Sequence, residues 1–311
     1  MIVRLGMGNS RDRPAQAISA QPIELPAFYS KPESKGEPTY FSSCSYPVIL
    51  LFIDVLNDKA FLGRLQHTGA ERQEMELDIL TIAAHPDDVE ITCGGTVIKM
   101  AQAGYRVGIL DLTAGETGTR GNAALREKEA RAAAKVLGVV HRENLGIPDA
   151  GVENNRENKL RVAEKIREFK PHTVILPYWK GRHPDHYTAG HLGYEACFLA
   201  GLARLPLAGK PHRPYKIVYA SQYVPSLRPS FVVDITEQFE KKLKAIFCFS
   251  SQFSPPKELQ NLFPSRSDIN ARMGSEARHF GHMIGVRFGE PFIMREVAAV
   301  ADVVKLPVKS I

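Results

Sequence analysis

The sequence predicts an α/β fold, a Rossmann-like three-layer α/β/α sandwich with a mostly parallel sheet. Two observations predict it. Short apolar segments of strand length alternate with longer amphipathic segments from Leu77 onward, the pattern of parallel strands joined by crossover helices. In addition, two clusters of histidine and aspartate each fall where an apolar strand gives way to a helix, the place where open α/β sheets gather their ligands.

Taken in order, a strand over Leu77 to Ala84 leads into a helix from about Glu90 to Ala103, and a second strand covers Arg106 to Leu112. Helices follow over Ala123 to Leu137 and Asn155 to Phe169, the apolar strand Thr173 to Pro177 comes next, and a helix runs from about Tyr187 to Ala203. Late strands at Lys216 to Tyr223 and Phe231 to Ile235 precede a helix over Glu237 to Phe249, so some antiparallel pairing is expected there. No internal repeat of fixed period is evident.

Residues 1–76 read as a loosely structured N-terminal extension, because Pro14, Pro22, Pro26, Pro32 and Pro38 punctuate a stretch with little hydrophobic periodicity. The domain is expected over 77–311, and Met75, directly before the first strand, is a candidate translation start. The first 76 residues hold 8 Lys and Arg against 9 Asp and Glu, and the remainder 32 against 25, so the excess of +7 lies in the domain. Basic residues there are mixed with acidic ones and form no long run, which points to an acidic small molecule and away from nucleic acid.

The longest apolar stretch near the N-terminus, Val48 to Ile53, is far short of the roughly 20 residues of a membrane span. Neither a transmembrane helix nor a secretory signal is expected. Cys44, Cys93, Cys197 and Cys248 are scattered and form no C-x-x-C pair, which fits a cytoplasmic protein without disulfides.

The first chemical cluster is Ala84-His85-Pro86-Asp87-Asp88-Val89-Glu90. Imidazole with carboxylate suits zinc, and a second carboxylate beside the ligand could take a proton from a metal-activated water. The alternative is that Asp87 or Asp88 caps the following helix while His85 packs beneath it. The second cluster, Arg182-His183-Pro184-Asp185-His186, follows Val174-Ile175-Leu176 in the same topological position. Two strand ends of one parallel sheet can converge, so His85, Asp88 and His186 could supply three ligands and leave a coordination position open, the mark of a catalytic zinc.

H85-P-D-D-x-E, G94-G95-T96 and H183-P-D-H resemble the LmbE/PIG-L family of zinc deacetylases, which remove N-acetyl from glucosamine conjugates. The likeness continues through G115-E-T-G-T-R-G, L125-R126-x-x-E-A, N144-L-G-I-P-D149, K170-P, S251-Q-F-S and G289-E-P-F. In spread and spacing it is similar to the subgroup of bacillithiol biosynthesis, which acts on N-acetylglucosaminyl-malate.

The resemblance implies one Zn²⁺ per chain, other divalent ions being acceptable to such a donor set, held by His85, Asp88 and His186. It implies Asp87 as general base and His183 as the residue that stabilises the oxyanion or protonates the leaving amine, with Asp185 orienting that histidine; a helix N-cap is an equal alternative for Asp185. Arg126 is implied as a substrate contact, and Arg182 and Arg213 are further candidates, since guanidinium groups clamp carboxylates such as those of malate. Surface ion pairing is the alternative for each of the three. Relatives commonly self-associate, so a homo-oligomer is expected, with Val297 to Val308 as candidate apolar surface. The rival activities are deacetylation or amide cleavage of another amino-sugar or thiol conjugate, and, outside catalysis, a sugar- or nucleotide-binding α/β module.

Overall fold

The computed structural model describes residues 75–221, 224, 227–254 and 263–308. The expected extension, save its last two residues, lies outside the described residues, as does the end of the strand predicted to reach Tyr223. Seven strands form one sheet: β1 (Ile79–Ala83), β2 (Val107–Asp111), β3 (His141–Asn144), β4 (Thr173–Pro177), β5 (Lys216–Ala220), β6 (Phe231–Asp234) and β7 (Gly289–Ile293). The helices are α1 (Asp88–Gln102), α2 (Ala123–Leu137), α3 (Arg156–Phe169), α4 (Pro184–Ala200), α5 (Phe239–Ile246), α6 (Ser250–Phe253) and α7 (Arg266–Met283).

The strand order is β3-β2-β1-β4-β5-β7-β6. Strands β3 through β5 pair in parallel, and β7 runs antiparallel to both β5 and β6. The chain leaves β1 toward β2 on one side and returns to β4 on the other, which makes the gap above β1 and β4 a topological switch point.

Both faces of the sheet are covered, which is why the central strands are apolar without alternation. Leu80, Ile82, Leu110, Val174 and Leu176 pack against Val162 and Ile166 of α3 and Leu192 and Ala196 of α4. On the other face Ala83, Ile109, Ile175 and Val218 meet Val89, Val97 and Ile98 of α1, Leu137 of α2 and Ala245 of α5. A further cluster joins Phe239, Leu243 and Ile246 of α5 to Ile269, Met273 and Ala277 of α7. Among the described residues no helix is long and apolar enough to cross a membrane.

Helix limits follow from local chemistry. Asn122 and Asn155 cap α2 and α3 by accepting from Leu125 N and Asn158 N, and α2 stops at Gly138, whose φ of 80° suits glycine. Helix α4 starts three residues earlier than its apolar pattern suggested, because Pro184 is suited to a first helical position.

Helix α1 is broken at Cys93 (φ −139°), and the break explains two motifs at once. The Glu290 carboxylate accepts from Gly95 N (2.9 Å), Thr96 N (2.6 Å) and Thr96 Oγ1 (2.6 Å), so it caps the second half of the helix from across the sheet. Lys242 Nζ donates to the same carboxylate at 2.6 Å. A Cβ on Gly95 would come within 2.9 Å of Ile235, so Gly94-Gly95-Thr96 serves close packing. Glu290→Ala would leave a buried ammonium and two helix N–H groups without their acceptor. The expected cost is about 3–5 kcal/mol of unfolding free energy, measured by denaturant titration.

Candidate active site

The loops that follow β1, β2, β3 and β4 meet above the switch point. His85 Nδ1 lies 3.2 Å from His186 Nε2 and 3.4 Å from Asp88 Oδ2, and His186 Nε2 lies 3.1 Å from Asp88 Oδ1. Donors about 2.0–2.1 Å from one tetrahedral cation stand about 3.3 Å apart. Each separation is close to that distance, the two imidazoles facing different oxygens of the Asp88 carboxylate, and the three side chains converge as a donor set that fits a metal. Asp88 is fixed for the task by His85 N, which donates to its Oδ2 at 2.9 Å.

The electrostatics agree. Burial alone would discharge His85, but the carboxylates of Asp88, Asp149 and Asp87 outweigh it and raise the imidazole to about 9. For Asp88, burial opposes the charge, and the facing His186 and His85 hold the carboxyl well below its ordinary range. The cluster thus gathers positive charge where a cation would sit. Because a cation must displace the His85 proton below about 9, Zn²⁺ affinity should strengthen as pH rises toward that value, which chelator competition across pH would measure.

Asp87 occupies the N-cap position of α1, yet its side chain makes no capping hydrogen bond, so the capping alternative is not realised there. Its φ is 115°, a left-handed conformation that turns its carboxylate toward Arg126, whose Nη2 lies 3.1 Å from Oδ2. Burial pushes the Asp87 carboxyl up, assisted by Asp88 and opposed by Arg126, to about 7. A carboxylate that exchanges its proton near neutrality suits a general base.

Arg126 is only 5% exposed, and besides Asp87 it binds Pro86 O and, at 3.2 Å, Gly115 O. The surface ion-pair alternative is thus not realised: the guanidinium is buried and holds the Asp87 carboxylate. One turn on, Glu129 accepts from Ser250 Oγ (3.0 Å), Ser251 N (2.7 Å) and Ser251 Oγ (2.6 Å), which gives S251-Q-F-S its place beneath the same helix.

His183 is the N-cap of α4, and Asp185 N donates to its Nδ1 at 3.2 Å. The neutral ring then carries its proton on Nε2. Burial, His186 and His85 lower its pKa more than Asp185 and Asp88 raise it, which favours a neutral ring with an N–H to donate. The Asp185 carboxylate has further partners. It is not the cap, which is His183; its Oδ2 faces His85 Nε2 at 3.3 Å and accepts from Ala150 N at 2.9 Å, while its charge favours the protonated form of His183.

Asp149, quoted in a motif but given no role from sequence, also reaches His85 Nε2, at 3.0 Å. Arg182 is exposed in the β4 loop beside His183. Arg213 is not brought to the site. It precedes β5, lies over the Phe198 ring at 4.6 Å and lines a cleft with Asp78, Arg106 and His172, at the opposite end of the strands.

The family described as PIG-L, GlcNAc-PI de-N-acetylase, matches residues 80–197. The chain is 31% identical over 252 residues to the diacetylchitobiose deacetylase of Thermococcus kodakarensis, covering 75% of this chain and 90% of that protein. It is 28% identical over 194 residues to the probable N-acetyl-α-D-glucosaminyl L-malate deacetylase 2 of Bacillus anthracis, covering 58% and 83%. A solved structure of a conserved protein from Thermus thermophilus superposes with a TM-score of 0.66 at 36% identity, covering 72% of this chain and 98% of that one.

Proposed function

The chain belongs to the PIG-L/LmbE family of N-deacetylases, and from that premise we propose that it hydrolyses the N-acetyl group of an N-acetylglucosamine conjugate, with N-acetylglucosaminyl-malate of bacillithiol biosynthesis as substrate. One observation carries the chemistry: the side chains of His85, Asp88 and His186 converge with nitrogen and oxygen atoms 3.1–3.4 Å from one another across each pair, with the Asp87 carboxylate beside them and outside the donor set.

His85, Asp88 and His186 would hold one Zn²⁺, the cation that two imidazoles and a carboxylate suit best among several divalent ions. When bound, it supplies Lewis acidity toward the acetamide oxygen and acidifies water. Asp87 takes the proton of the attacking water while Arg126 keeps its carboxylate in place. His183 donates its Nε2–H to the acetamide oxygen as negative charge develops there. The proton on Asp87 then passes to the leaving nitrogen, and the C–N bond breaks to give the free amine and acetate.

The malate aglycone rests on the sequence resemblance and on the similarity to the Bacillus anthracis protein. Of the three arginines considered for its carboxylates, Arg182 alone is exposed beside the metal loops. A second reading, N,N′-diacetylchitobiose, is favoured by the 31% identity to the Thermococcus kodakarensis protein over most of its length. Acetate release by the Zn²⁺-loaded protein from N-acetylglucosaminyl-malate, diacetylchitobiose and N-acetylglucosamine separates them. The malate reading expects the highest kcat/KM on the first, with a selective loss in Arg182→Ala; preference for chitobiose overturns it. Sugar binding without acetate from any of the three would instead favour a non-catalytic module.

The enzyme is read as cytoplasmic and self-associating. Cys93, Cys197 and Cys248 are unpaired, and Val297, Val303 and Val304 are highly exposed apolar surface.

A further inference from the structure

Asp149 stands where two loops meet the back of His85. Its Oδ1 lies 3.0 Å from His85 Nε2, and its Oδ2 accepts from Thr117 N (2.9 Å) and Thr117 Oγ1 (2.7 Å). Its own N–H donates to Glu116 Oε1 at 2.9 Å. These last three bonds all reach into the Gly115–Gly121 stretch, in which residues 116–119 are exposed.

Ala150 adjoins it with φ 59°, a left-handed conformation that a non-glycine residue holds only when its surroundings enforce it. There its N–H lies 2.8 Å from Asp149 Oδ1 and 2.9 Å from Asp185 Oδ2. Both carboxylates that face His85 Nε2 are thus locked, but differently. Asp185 is anchored by main-chain N–H groups of Ala150 and Val152, both in the loop after β3. Asp149 is anchored by an exposed loop that comes from another strand.

A histidine that offers Nδ1 to a cation carries its proton on Nε2. A carboxylate that accepts this proton fixes the tautomer and ring orientation and makes Nδ1 a stronger donor. We infer that Asp149 and Thr117 are positioning residues of the metal site: the loop after β2, by seating on Asp149, holds His85 in the orientation that offers Nδ1 to a divalent cation. The loop thereby sets cation affinity without touching the cation. This rests on His85 being a metal ligand, and it does not depend on which acetamido sugar is cleaved.

The test uses the full chain with Zn²⁺ as the probe, its affinity measured by chelator competition in Asp149→Asn and Thr117→Val, beside the melting temperature of each metal-free protein. Asp149→Asn keeps the shape and loses the charge, and its affinity should fall about 10–100-fold. Thr117→Val, at an exposed position, keeps the main-chain bond and loses the hydroxyl bond, and a fall of about 2–10-fold is expected, the worth of one net hydrogen bond. The metal-free variants should melt with the parent. Unchanged Zn²⁺ affinity in either variant overturns the relay, as does a loss seen only together with a lower metal-free melting temperature. A parent that releases no acetate, alongside the expected affinity losses, would sink the deacetylase reading and leave the relay standing.

Discussion

Asp87→Asn should retain Zn²⁺ and lose about 10²–10⁴-fold in kcat, the range that a positioned general base supplies. The substitution is chosen for its backbone as well as its chemistry. At φ 115° most side chains would strain the turn, whereas asparagine is among the residues that tolerate positive φ. The volume at the site is also kept. What disappears is the proton acceptor, together with the charge that pairs with Arg126 at 3.1 Å. Zn²⁺ content and melting temperature, measured with acetate release, separate loss of the base from loss of the site. Turnover equal to the parent would remove Asp87 from the chemistry.

His186→Ala should lose both metal and activity. It deletes one of three donors and leaves His85 Nδ1 and Asp88 facing each other with no third vertex. The fall in Zn²⁺ affinity should exceed the roughly 10–100-fold typical of losing an outer hydrogen-bond partner. His186 is half-exposed at the start of α4, so the fold should survive the change. Dialysis against limiting Zn²⁺, followed by metal analysis, gives the comparison. The two variants are expected to dissociate the functions: one keeps the metal without turnover, and the other keeps the base without the metal.

The central architecture was legible because burial on both faces writes itself into sequence as apolar runs. β1, β2 and β4 are such runs, and the histidine clusters mark the ends of β1 and β4. β3 was not, since His141-Arg142-Glu143-Asn144 is a polar edge strand. It pairs through its main chain with β2, while Arg142 turns inward to Asp111 (2.7 Å) and Glu90 (2.5 Å). Missing β3 also hid Asp149, whose position above the site is evident only once a strand end lies beneath it.

β7 was obscured by Glu290 and Pro291, residues that argue against a strand, one of which caps a distant helix. Helix α7 carries Gly274 and Gly281 on its buried side, so its apolar stripe is thin, although Ser265 and Asp268 form a capping box that marked its start. The convergence of His85, Asp88 and His186 was readable from motif and position. The partners of Arg126, Asp185 and Arg213 were not, because they depend on which loops meet across more than one strand.

The most direct test of the account is the metal content of the purified chain, titrated with Zn²⁺ after chelation, with acetate release from an N-acetylglucosamine conjugate followed in the same samples. The account predicts one Zn²⁺ per chain at saturation, with acetate release absent from the stripped protein and rising in proportion to occupancy. Acetate released at full rate by the stripped protein, or stoichiometric Zn²⁺ bound with His85, Asp88 and His186 all replaced by alanine, would contradict it.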